Sequence, residues 1–62
     1  MTVKFTNKMI DLQDIVVLEC QCMWGLFLEN VEGEGWTAER FAAKVEECKD
    51  RATLRRLASR FI

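Results

Sequence analysis

Sixty-two residues make room for a single domain, and a chain of this size buries only about 60% of the surface that its unfolded form exposes. Half the residues are hydrophobic, 31% are charged and none is proline, which excludes a disordered segment and leaves helices uninterrupted. Histidine is absent and the formal net charge is −1, so the commonest general base and metal ligand is missing and nothing in the overall charge gathers nucleic acid.

The opening residues 1–6 read as an extended arm or a short strand, because Val3 and Phe5 alternate with polar neighbours. Thr6 or Asn7 then offers a side-chain oxygen to cap a helix. From there the spacing predicts one long amphipathic helix over 7–32. Met9, Val16, Val17, Cys20, Met23, Trp24, Phe27 and Val31 fall on one broad face, and Lys8, Asp11, Asp14, Gln21 and Glu29 fall opposite. At 1.5 Å per residue, the segment 8–31 is a rod about 36 Å long, more than so small a core requires. Ile15, Leu18, Cys22 and Leu26 project among the charged groups on the far side. A helix apolar nearly all round is covered on several sides, so these four are expected to form the seam of a homodimer. The competing reading pairs Ile15–Cys22 with Leu26–Val31 as a strand hairpin, since Ile15, Val16 and Val17 are β-branched, but Gly25 alone makes a poor turn.

Residues 33–36, Gly-Glu-Gly-Trp, form the turn that ends the rod. A second helix is expected over 37–49, with Thr37 as N-cap, Glu39 in the first turn and Trp36 packed on Phe41 as a hydrophobic staple. Continued without interruption, that helix would throw Leu54, Leu57 and Phe61 onto the side opposite Phe41 and Val45. A break near Lys49–Arg51 with Asp50 as a new N-cap removes the conflict and gives a third helix over 50–62. The expected fold is therefore all-α: a long helix followed by two short ones, hairpin-like, assembled as a homodimeric bundle.

Chemistry is sparse. Cys20-Gln21-Cys22 and Cys48 invite a zinc reading, but on a helix Cys20 and Cys22 point about 200° apart and cannot grip one ion. They read as small apolar residues, with no metal and no cofactor. Paired acids such as Glu46 and Glu47, or Asp11 and Asp14, lack the cleft that would shift a pKa, so no catalytic residue is assigned and the chain is not expected to be an enzyme. Gly33-Glu34-Gly35 lacks P-loop spacing and has acidic flanks.

Charge is unevenly placed. Residues 1–36 carry two Lys against six Asp or Glu, and residues 37–62 carry seven Lys or Arg against four acids. Docking of one half on the other is the favoured use of this asymmetry. Arg51, Arg55, Arg56 and Arg60 lie away from the leucine stripe of the last helix. With Trp36, they are the candidates for contact with a partner protein. The rival use of that face is a helix-turn-helix-like grip on nucleic acid; a third expectation is a subunit of a larger structural assembly.

An odd number of cysteines and the lack of a recognisable leader point to a reducing, cytoplasmic location. The apolar run 15–28 contains Glu19 and Gln21 and falls short of the roughly 20 residues of a membrane span. A small chain without catalytic groups fits an inhibitor or adaptor of a larger protein, of the kind that phages and mobile elements encode, by analogy of size alone.

Overall fold

The 36 Å rod does not form. In the computed structural model, which describes residues 6–62, the first helical segment stops at Glu19 and the chain folds back on itself, so that the longest dimension of the molecule is 30 Å. Helix α1 (Asn7–Asp14) runs directly into a wider π-helical turn, Ile15–Glu19, and is followed by α2 (Trp24–Gly33), α3 (Ala38–Glu47) and α4 (Arg51–Ser59). No strand is present among the described residues, and the segment 15–31 that could be read as a hairpin is helical on both sides of a break. The extended arm or short strand expected at residues 1–6 lies outside the described residues except for Thr6, which is the N-cap of α1 and accepts from the Met9 amide.

The break is built from hydrogen bonds that change register. The Cys20 amide donates to the Ile15 carbonyl at 3.0 Å, a five-residue step, and the Cys22 amide donates to the Val16 carbonyl at 2.9 Å. Gln21 sits at φ 55°, the left-handed conformation that closes many helices and that usually belongs to glycine or asparagine. This is a left-handed helix cap widened by the π turn, and α2 restarts after it at Met23 with no side-chain cap. Both features cost free energy. They are offset because the fold-back lets one protomer bury side chains that a straight rod would leave outside.

Ile15 is the clearest case. Placed in the dimer seam by the single helical phase, it is fully buried in the protomer's own core with Met9, Leu12 and Val16. A phase fitted across 7–32 averages two faces that are independent once the chain breaks. Val17 and Met23, assigned to the core by that same fit, are instead 40% and 76% exposed.

The remaining boundaries follow local chemistry. At the end of α2 the Trp36 amide donates to the Val31 carbonyl and the Gly35 amide to the Glu32 carbonyl, with Gly35 at φ 94°; this is the Schellman arrangement, and only glycine takes that φ without strain. Thr37 accepts from the Arg40 amide at 3.2 Å and Asp50 from the Thr53 amide at 2.8 Å, so both expected N-caps are made. The Thr53 hydroxyl also donates to Asp50, at 2.7 Å. These two bonds, the hydroxyl's first, hold the Asp50 carboxyl below its ordinary pKa.

Helix α1 rests on α3 and α4, and the π turn meets α2 and α4. The core centres on Phe27, which is stacked on Trp24 at 5.3 Å and meets Phe41 and Phe61 edge-on, both at 5.9 Å. No polar or charged side chain is buried among the described residues. The loose ends are tied by a few polar contacts. Lys8 Nζ donates to the carbonyls of Glu46 and Cys48, at 2.8 and 2.6 Å, and so neutralises the unpaired C-terminal end of α3. Thr6 donates to the Glu46 carboxylate at 2.6 Å, and Asn30 donates to the Phe61 carbonyl at 2.8 Å.

Candidate interaction surface

Among the described residues, the exposed large apolar side chains are Ile10, Val17, Leu18, Met23, Leu26 and Ile62. All but Ile62 lie between residues 10 and 26, along the outward side of α1 and its π turn and on the first turn of α2. Ile10, Asp14 and Leu18 follow one another at four-residue steps on the side away from the buried Met9, Leu12 and Val16. Leu18, at 71%, and Met23, at 76%, stand on either side of the break, with Leu26 half exposed beyond them. Of the four residues expected in the dimer seam, Leu18 and Leu26 thus project into solvent, Cys22 is half-buried and Ile15 is removed to the core. Ile10, Val17 and Met23 belong to the surface but were not legible as such. Only the break, which no residue type announces, turns Met23 outward.

Trp36 is held within the fold. It packs edge-on to Phe41 at 5.9 Å and to Phe61 at 6.5 Å, while the Arg40 guanidinium lies 5.5 Å from the centre of its ring. Its position explains this: it is the closing residue of the α2 cap and, at the same time, the staple that precedes the Thr37 cap.

The arginine face is divided. Arg51 donates to one Glu19 carboxylate oxygen at 2.6 Å and Arg55 lies 3.5 Å from the other, so the cationic half of the chain does meet the acidic half. Glu19 raises the pKa of the Arg51 guanidinium above its ordinary value, chiefly through that hydrogen bond, with Asp11 and Asp14 adding weaker attraction. Both arginines stay more than half exposed, so these pairs orient α4 against the π turn without adding much stability. Arg60 lies over the Phe61 ring at 5.8 Å and Arg56 is exposed.

The thiols differ in environment. Cys20 and Cys22 are half-buried on either side of the left-handed residue, whereas Cys48 is buried at the end of α3. Burial raises the Cys48 thiol above its ordinary pKa, an effect that nearby Lys8 and Lys44 only partly oppose. A smaller thiolate fraction and poor access both slow alkylation. Iodoacetamide is therefore expected to modify Cys20 and Cys22 in the folded protein well before Cys48, which should react only on unfolding; peptide mass mapping against time reads this directly, and equal rates would contradict the placement of Cys48.

Among the described residues, no three His, Cys, Asp or Glu side chains gather as a metal site would require, and no helix is long and apolar enough to cross a membrane. A surface hollow of about 410 Å³ lies between the end of α2 and the last residues and is edged by Glu29, Glu34 and Arg60. It is open and polar, unlike the enclosed apolar pockets that hold small ligands. Fold and surface together define a small all-helical domain with a continuous core and several exposed apolar side chains on α1, its π turn and the start of α2. Compared with known proteins, the chain matches no family model, no curated protein and no solved structure.

Proposed function

We propose that this chain is a non-enzymatic protein-interaction module, an inhibitor or adaptor that docks a larger partner protein on the apolar flank formed by Ile10, Val17, Leu18, Met23 and Leu26. The observation that carries the reading is that, among the described residues, five of the six exposed large apolar side chains fall within residues 10–26. Uncovered apolar patches on small soluble domains mark contact sites more often than scattered single residues do. Self-association is an extension of the same reading, since Leu18 and Leu26, two of the residues expected in a homodimer seam, stand on this flank.

The arginine face supports a nucleic-acid role less well. Two of its four guanidiniums are held by Glu19, and a phosphate would have to displace that carboxylate beside two further acids, Asp11 and Asp14.

Affinity capture from the native host tests the proposal when done with three proteins: the natural chain, Leu18→Ser/Leu26→Ser, and Arg55→Glu/Arg56→Glu. A partner retained by the first and third and reduced at least tenfold with the second supports it. Retention unaffected by the leucine changes but lost with the arginine changes would move the contact to α4 and defeat the proposal.

A further inference from the structure

We infer that residues 20–23 are a hinge through which two copies of this chain exchange their first segment, residues 6–19. In the exchanged dimer the hinge is straight, 7–33 is one rod, and α1 of each chain lies on α3 and α4 of the other. This holds whatever partner the exposed apolar side chains take. The segment carries four buried side chains, Met9, Leu12, Ile15 and Val16; α1 packs chiefly on α3 and α4, and the π turn on α4 and α2. Its polar ties run the same way. Thr6 donates to the Glu46 carboxylate, Lys8 to the carbonyls of Glu46 and Cys48, and Glu19 holds Arg51 and Arg55. Each tie joins residues 6–19 to residues 46–55, on the other side of the hinge. A second copy presents the same groups in the same arrangement, so exchange remakes these contacts between chains.

The two forms differ at the hinge itself. Folded back, the chain holds Gln21 at φ 55° beside the π turn Ile15–Glu19, and α2 opens at Met23 without a side-chain cap. A side chain in the left-handed region is disfavoured, and π turns are rare. Straightened, residues 20–23 return to right-handed helix, and the first-turn amides of α2 donate to carbonyls four residues back. The residue types allow it: Cys20-Gln21-Cys22-Met23 contains neither Gly nor Pro, and Gln and Met are good helix formers. Such a rod is about 40 Å long, against 30 Å for the longest dimension of the single chain, and it carries Ile15 out of its own chain's core. The α3 and α4 of the second copy cover it. Association costs translational and rotational freedom, so the folded-back form prevails in dilute solution and the exchanged dimer gains as concentration rises.

Refolding at two concentrations tests the hinge. The natural chain, Gln21→Gly and Gln21→Ala are unfolded in urea, refolded at micromolar and at millimolar concentration, and followed by sedimentation velocity. The natural chain and Gln21→Ala are expected to be monomers at the lower concentration and to form dimers at the higher. Gln21→Gly takes φ 55° freely and weakens a rod, by about tenfold at each hinge; each dimer straightens two, so its dimerisation constant should fall by about a hundredfold. A mixture of isotope-labelled and unlabelled natural chain, refolded together at millimolar concentration, should show nuclear Overhauser contacts from α1 of one chain to α3 and α4 of the other. Gln21→Gly and this mixture decide the matter if Gln21→Ala does not refold. Monomer alone at millimolar concentration in the natural chain overturns the inference, and so does a dimer population that Gln21→Gly leaves unchanged. A dimer in which α1 contacts α3 and α4 of its own chain also overturns it, because association then lies at the surface and the hinge stays closed.

Discussion

Phe27→Ala is expected to remove most of the stability of this protein. Phe27 is fully buried and touches three other aromatic rings from α2, α3 and the C-terminal end, Trp24, Phe41 and Phe61. Truncating a buried Phe typically costs about 3–5 kcal/mol, since the aromatic transfer energy is lost and the surrounding side chains close the cavity only in part. A domain of this length holds roughly 3–9 kcal/mol in total. Urea denaturation followed by far-ultraviolet circular dichroism should therefore find Phe27→Ala largely unfolded in buffer, or with a midpoint close to zero denaturant. Leu18→Ala is the control: at 71% exposure it should change stability by no more than about 0.5 kcal/mol. If Leu18→Ala costs as much as Phe27→Ala, and the cost grows with protein concentration, Leu18 is covered by a second copy in solution and the flank is not free.

The sequence carried the ends of the helices better than their phase. Thr37 and Asp50 were readable as N-caps, and Trp36 as the staple, because each depends on residues within four positions along the chain. Gly35 likewise marks the end of α2 through a conformation that other residues avoid. The stop after Glu19 has no such mark. It uses a π turn and a glutamine in the left-handed region, where glycine or asparagine is the usual sign. With that stop unseen, one helical phase ran through 7–32, and the errors followed in a definite pattern: Ile15 was placed outside, and Val17 and Met23 inside.

Leu18 and Leu26 stay at the surface for a simple reason. Each lies far enough round its own helix to remain exposed whether or not the two helices are joined. The arginines were recognised as a face of α4, but their commitment to Glu19 links residues 32 and 36 positions apart. No local pattern encodes such a contact; only the fold-back brings the π turn against α4.

The two left-handed positions give a test in which the sign of the change matters more than its size. Gly35 has no heavy atom within 4 Å of where a Cβ would stand, so Gly35→Ala meets no steric clash with its surroundings and carries only the conformational penalty of φ 94°, about 1–2 kcal/mol. Gln21 occupies the same region of backbone space without glycine's freedom. Gln21→Gly should relieve that strain and, after the greater entropy loss of a glycine on folding, raise stability by about 0.5–1 kcal/mol. Had residues 7–32 formed one continuous helix, the same substitution would lie mid-helix and lower stability by about 1 kcal/mol. Denaturant midpoints for the natural chain, Gln21→Gly and Gly35→Ala therefore discriminate between the two architectures. A gain for the first variant and a loss for the second fits the broken helix, and a loss in both returns the chain to a straight rod, with Ile15 outside the core once more.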